Sequence, residues 1–264
     1  MKLKELLAGV LTEEEMKFAP SAFDMVGDIA IIWIPDELKS KEREIGEKLL
    51  SFKNLKTVLK RESAVEDEFR VRRYSLLAGE DKRETIYVEY GSRYKVDVTK
   101  AYFSPRLGNE RERIVGLVQE GEKVLVMFAG IGPYAIQIAK RAKPEMVYAV
   151  EINPEAVRYM EENVRLNKVG RRVRFFCGDV REVVPKLEER FDRIIMPLPK
   201  DAETFLDVAR GASQDGAVIH LYVFAESRED ALSKVKEDVE VLDVVECGTY
   251  SAKISRYCVD FKFR

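Results

Sequence analysis

The stretch Val124-Leu-Val-Met-Phe-Ala-Gly-Ile-Gly-Pro-Tyr134 confines this chain to few architectures. An apolar run ends abruptly in two glycines and passes into helical spacing. About 20 residues on, a second apolar run ends in a carboxylate, Val150-Glu-Ile-Asn-Pro154. Two such runs predict neighbouring parallel strands with a crevice over their C-terminal ends. The glycines let a ligand approach the backbone, and Glu151 can accept hydrogen bonds from ribose hydroxyls. A solvated acid at a strand end is the plainer reading of Glu151.

The rest of the chain after about residue 98 repeats this alternation. Strand-like runs fall near 123–128, 146–151, 172–177, 191–197 and 216–224, with helical spacing between them, as from Ala156 to Asn167. The alternation predicts an α/β domain over 98–264 with a parallel sheet covered on both faces. Two further alternating runs, Glu240–Glu246 and Arg256–Phe263, are joined by too short a segment for a parallel crossover, so an antiparallel hairpin should close the sheet. Residues 1–97 predict a small α+β domain. It has a strand over Asp28–Pro35, a helix capped by Asp36 and running through Phe52, strands at Thr57–Arg61 and Arg70–Leu77, and a hairpin over Glu84–Asp97 about a Gly-Ser turn.

Composition narrows the class. No apolar run approaches the roughly 20 residues a membrane span needs, and the acid in Met1-Lys-Leu-Lys-Glu argues against a secretory leader. Cys177, Cys247 and Cys258 are odd in number and widely spaced, which suits a reducing cytoplasm and neither a disulfide framework nor a zinc site. A net charge of −2 gives no overall attraction to nucleic acid, so any RNA contact must be local. Lys168, Arg171, Arg172 and Arg174 form one basic stretch, which reads equally as a solvated face.

Gly130, Gly132 and Ala135 alone satisfy a loose dinucleotide pattern. Three features favour S-adenosylmethionine and a Rossmann-like class I methyltransferase sheet instead. Pro133 removes an amide that could have served a pyrophosphate. Asn153-Pro154 starts a helix directly after the ribose carboxylate. Phe176-Cys-Gly-Asp-Val180 ends the third strand with Asp179, where an adenine amino group would lie, although Gly-Asp is also a common turn. The expected cofactor residues are Met127, Phe128, Ala129, Gly130, Gly132, Glu151, Ile152, Asn153, Asp179 and Val180. Methyl transfer from a sulfonium needs in-line positioning and a deprotonated acceptor, with no metal. In Tyr102-Phe-Ser-Pro-Arg-Leu-Gly-Asn-Glu-Arg111, Glu110 between Arg106 and Arg111 reads as a general base beside cations, or as a surface cluster opening a helix capped by Asn109. Pro197 and Pro199 make a stiff loop after the fourth strand, at the position that faces the acceptor base in nucleoside-modifying transferases, or else a simple strand-ending turn.

These pieces resemble the archaeal and eukaryotic tRNA (guanine-37, N1) methyltransferases, in a form lacking the extra N-terminal module. The matching residues are Leu77-Ala-Gly-Glu with Glu84-Thr-Ile, Lys95-Val-Asp-Val, Tyr102-Phe-Ser-Pro-Arg-Leu with Glu110-Arg111, Met127-Phe-Ala-Gly-Ile-Gly-Pro, Glu151-Ile-Asn-Pro, Leu166-Asn-Lys-Val, Gly178-Asp-Val-Arg and Ile195-Met-Pro-Leu-Pro-Lys. The resemblance implies Glu110 as base for the guanine N1 proton, with Tyr102 and Arg106 clamping the acceptor. It implies an arginine on guanine O6, for which Arg70 is the best match and Arg72 the second. It also implies the tRNA anticodon loop as partner, with a monomer in the cytoplasm as the expected state. Two departures stand out: Val126 replaces a usual acid, and Pro197 a usual Asn. A wybutosine-pathway aminocarboxypropyl transferase using the same cofactor is the nearest alternative. A non-catalytic RNA-binding protein with the cofactor fold is another. A dehydrogenase would need a hydride-transfer pair that the sequence does not offer, and His220 reads as a core residue.

Overall fold

A four-stranded sheet and a two-stranded hairpin organise the first part of the chain, and a seven-stranded sheet the remainder. The computed structural model describes residues 3–52, 54–62, 72–198, 200–236, 238–251 and 253–264. Two units separate at Met1–Pro105 and Arg106–Arg264. Among the described residues no helix is long and apolar enough to cross a membrane.

In the first unit, α1 (Leu3–Leu7) precedes β1 (Asp24–Val26) and β2 (Ile29–Ile32). A 3-10 turn, Asp36–Lys41, leads into α2 (Glu42–Leu50), followed by β3 (Thr57–Arg61) and β4 (Tyr74–Gly79). The sheet order is β1-β2-β3-β4, parallel only between β2 and β3, which α2 connects. Ile45 and Leu49, four apart on one face of α2, are fully buried in a cluster with Ile32, Leu38 and Val58. Gly46 lies on the same face. A Cβ there would stand 2.7 Å from Leu77 Cβ, so the close approach of helix to sheet depends on its missing side chain.

Three details depart from the sequence reading. Asp36 is the first residue of the 3-10 turn and not a cap, since the turn follows Pro35 with no side-chain capping bond. Strand β1 was not foreseen, because a three-residue strand is too short to show a period. The strand expected over Arg70–Leu77 runs from Tyr74, and Arg70 and Val71 lie outside the described residues. The hairpin of β5 (Glu84–Glu89) and β6 (Ser92–Asp97) is as expected, but Ser92 pairs with Glu89. Its turn is therefore Tyr90-Gly91, both left-handed at φ 45° and 75°, the geometry of a two-residue type I′ loop.

The second unit opens with α3 (Gly108–Leu117). Its parallel strands are β7 (Lys123–Met127), β8 (Met146–Glu151), β9 (Val173–Cys177), β10 (Phe191–Met196) and β11 (Ser213–Ala225). The intervening helices are α4 (Pro133–Arg141), α5 (Pro154–Leu166), α6 (Val180–Val183) and α7 (Leu206–Ala212). After α8 (Arg228–Ser233), β12 (Val239–Thr249) and β13 (Ser255–Phe263) form the expected antiparallel hairpin. The order is β12-β13-β11-β10-β7-β8-β9. The chain runs outward from β7 to β9, then returns to lay β10 on the other side of β7. This reversal is the switch point where α/β sheets open a ligand crevice. Val124–Met127 and Ile194–Met196 are fully buried, as central parallel strands must be.

Candidate active site

The loop after β7 turns through three left-handed residues, Phe128 (φ 55°), Gly130 (φ 58°) and Gly132 (φ 85°), before α4 starts at Pro133. Ala129 N–H donates to the Val150 carbonyl, and Gly132 N–H to the Ala129 carbonyl, each at 3.0 Å. Glu151 is held from two sides: Gly130 N–H donates to its Oε2 at 2.7 Å and Asn153 N–H to its Oε1 at 2.9 Å. Asn153 Oδ1 caps α5 by accepting Glu155 N–H at 3.0 Å and Ala156 N–H at 3.4 Å. Half-buried Ile152 lies between these two polar residues. At the end of the next strand, Asp179 caps α6 through Arg181 N–H at 2.8 Å, and Val180 packs in one cluster with Met127. The Arg181 guanidinium binds Asp207 and lies 4.4 Å over Phe205, whose ring meets Phe128 edge-on at 5.0 Å. Two anchored carboxylates at adjacent strand ends, beside a helix whose first residue has no N–H, suit a ribose-bearing nucleoside better than a pyrophosphate. S-adenosylmethionine fits this donor set.

Glu110, in the first turn of α3, is buried within a second group of residues. Arg113, one turn on, donates Nε–H to Glu110 Oε2 and Nη2–H to Oε1, both at 2.8 Å. Tyr222 of β11 donates its hydroxyl to Oε1 at 2.5 Å, and Tyr134 of α4 donates to Tyr222 at 3.0 Å. A phenol pair thus links the carboxylate to the first turn after Gly132. On its far side Arg113 donates Nη1–H to Asp260 Oδ2 at 2.6 Å. Asp260 Oδ1 also faces His220 Nδ1 at 2.6 Å and accepts the Cys258 thiol at 3.1 Å. Arg193 Nη1 lies 2.8 Å from His220 Nε2. A guanidinium only donates, so Nε2 must accept, and His220 is the neutral tautomer that gives its Nδ1 proton to Asp260. Burial also holds the histidine below its ordinary range, against the pull of Asp260. Burial works against the charge of Asp260, but His220 and Arg113 outweigh it and keep the carboxyl well below the usual range. Burial likewise opposes the Arg113 charge, and Glu110 and Asp260 more than restore it. The donor atoms of His220, Cys258 and Asp260 lie within 4.8 Å of one another. Two guanidiniums already donate into that cluster, so its lone pairs serve hydrogen bonds.

Residues 85–246 match the family described as TRM5/TYW2 methyltransferase domain, and residues 3–82 match the TYW2 N-terminal domain. This chain belongs to the TRM5/TYW2 methyltransferase family. A tRNA (guanine(37)-N(1))-methyltransferase, Trm5b of Pyrococcus abyssi, is 43% identical over 261 residues, covering 95% of this chain and 77% of the relative. A solved complex of aTrm5 and tRNALeu superposes with a TM-score of 0.90 at 37% identity, covering 100% of this chain and 78% of that one. The structure of Pyrococcus horikoshii TYW2 in complex with MeSAdo gives a TM-score of 0.79 at 29% identity, covering 98% and 97%.

Within this TRM5/TYW2 chain the expected site residues separate as follows. Met127, Phe128, Ala129, Gly130, Gly132, Glu151, Ile152, Asn153, Asp179 and Val180 all lie at the C-terminal ends of β7, β8 and β9. Val126, where the family usually has an acid, is fully buried in β7. Tyr102 and Arg72 meet in the first unit, the guanidinium 5.9 Å from the ring centroid, and both line a hollow with Ile31, Tyr74 and Phe103. Arg106 is exposed at the start of the second unit. Arg111, expected as a substrate contact, is buried like its neighbour Glu110, at 1% exposed. The reading of Glu110 as part of a surface cluster also fails, since the residue is buried. Asn109 lies inside α3, whose cap position is Leu107 with no side-chain bond. Pro197 sits in a tight turn in which Leu198 N–H donates to the Met196 carbonyl at 2.8 Å. Arg70 and Pro199 lie outside the described residues. Sequence reasoning missed Arg113, Tyr222 and Asp260. Only the i, i+3 spacing of Glu110 and Arg113 could have signalled the first.

Proposed function

We propose that this protein transfers a methyl group from S-adenosylmethionine to N1 of guanosine 37 in the anticodon loop of tRNA. Family membership and the Trm5b relative support the reaction class. The observation that carries the reading is the Tyr134–Tyr222–Glu110 chain, which ties a buried carboxylate to the helix that opens at the glycine loop. Arg113 and Tyr222 give Glu110 Oε1 two donors and Oε2 one, so of these two partners Oε2 carries the lighter load, and the Cys247 thiol is a further, weak partner of the carboxylate. In this reading Glu110 Oε2 takes the guanine N1 proton. The N1 electron pair then forms the new bond to the methyl carbon, and the electrons of the broken carbon–sulfur bond stay on sulfur. The cofactor supplies an electrophilic methyl group on a sulfonium. Glu151 would hold its ribose, Asp179 its adenine, and the loop from Phe128 to Gly132 its remaining length. Tyr102, Arg72 and Arg106 would contact the RNA, mainly as phosphate and stacking partners.

The match of residues 3–82 to the TYW2 N-terminal domain keeps a second reading in view, aminocarboxypropyl transfer from the same cofactor. One experiment separates them. Unmodified tRNA and labelled cofactor should give 1-methylguanosine at position 37 and adenosylhomocysteine. Methylthioadenosine as co-product would instead identify the second reaction. Glu110→Gln should leave adenosylhomocysteine affinity within about twofold and lower the single-turnover rate about 100-fold or more, the usual scale of a lost general base. Equal rates in the two proteins would remove Glu110 as base.

A further inference from the structure

Behind Glu110 stands a second carboxylate that the methyl transfer, as written, does not use. We propose that Asp260 is a positioning residue for the reaction, which fixes the orientation of the Glu110 carboxylate through Arg113. The inference rests on the reading of Glu110 as base. The geometry is specific. Arg113 gives Nε and one Nη2 bond to Glu110, and Nη1 with a longer Nη2 contact of 3.4 Å to Asp260. A guanidinium gripped along two edges cannot turn in its plane, and the carboxylate bound to it inherits that orientation.

Charge makes the same arrangement chemically useful. A base paired to an undivided guanidinium is a poor proton acceptor, because the cation stabilises the ionised form. Here two carboxylates divide one Arg113, and His220 adds no charge because Arg193 donates into its Nε2. Asp260 thus places a second negative charge on the far side of Arg113, and its removal leaves Glu110 facing an undivided guanidinium. Among the other groups around Glu110, buried Arg111 near Tyr134 and Arg256 near Cys247 are cations that a change at Asp260 leaves in place. Burial pushes the Tyr222 and Tyr134 hydroxyls and the Cys247 and Cys258 thiols upward, so all four stay neutral at working pH. Asp260 and His220 come from the last and the fifth strands of the sheet, so the terminal hairpin is built into the site.

Single-turnover rates on unmodified tRNA, measured across the pH range in which the protein stays folded, test the role. Asp260→Asn keeps the shape and removes the second negative charge. Its plateau rate should fall about tenfold or more. The acid limb of its profile should move to lower pH, while KM for tRNA and adenosylhomocysteine affinity stay within about twofold of wild type. A merely structural role would lower the rate or the stability with the limb unmoved, and that outcome overturns the proposal. Arg113→Lys keeps the charge but loses the two-edged grip, and it decides the matter if Asp260→Asn does not fold. A wild-type rate in Arg113→Lys also overturns it. Glu110→Gln, run in parallel, tells the two failures apart. If it turns over normally, the base assignment has failed. If it is slow while the Asp260→Asn limb stays in place, only the positioning role has failed.

Discussion

Gly132 carries two constraints in one residue. Its φ of 85° is a region that L side chains rarely adopt, and a Cβ would stand 2.8 Å from Met160 Cγ. Gly132→Ala should cost about 1–3 kcal/mol of stability by urea denaturation, combining backbone strain and overpacking. It should also weaken adenosylhomocysteine binding, because the loop it displaces anchors Glu151 through Gly130. A variant as stable as wild type would show that Met160 moves aside freely. At this scale the shape of the glycine loop and the strand-end place of Glu151 were readable from the sequence, since each glycine and acid stands within a few residues of the strand end it marks. The surroundings of Glu110 were not. Arg113 is a neighbour only if the helix starts where it does, and Tyr222 and Asp260 arrive from strands more than a hundred residues away. Arg111 adjoins Glu110 in sequence and is buried beside it.

The terminal hairpin shows what an element contributes beyond its length. Strand β13 lies between β11 and β12, with Val259 and Phe261 fully buried and Asp260 pointing to the opposite face. Phe261→Ala should lose about 3–5 kcal/mol, as large-to-small changes in packed cores do, measured by chemical denaturation. A loss under about 1 kcal/mol would mean that the hairpin packs loosely. The period-2 pattern made both of its strands legible, as it did for β5 and β6. Helix starts were less legible. Asp36 and Asn109 both have capping chemistry, yet the cap positions are Pro35 and Leu107, neither with a side-chain bond, and a 3-10 turn over Pro105–Leu107 runs straight into α3. The hairpin turn was misplaced by one residue because Tyr90, a poor left-handed residue, does not advertise the position it occupies.

For the molecule as a whole, the buried polar cluster predicts a definite response to acid. His220 is neutral and its folded pKa is lowered, so the unfolded chain binds the proton first as pH falls. Its contribution is complete above about pH 6.5 and declines below it, at most about 1.4 kcal/mol per pH unit for one proton. Asp260 is also held low, so it acts in the same direction below about pH 3.9. The urea midpoint should therefore fall between about pH 7.5 and 5.5, and by less in His220→Gln. An equal fall in both proteins would place the acid sensitivity elsewhere.

The chain contains one histidine, and the fold sets it three hydrogen bonds from Glu110, by way of Asp260 and Arg113. Isotope labelling of that ring would give a single, unambiguous magnetic-resonance reporter at the heart of the enzyme. Its chemical shifts could follow electrostatic changes during a catalytic cycle without any attached dye or engineered tag.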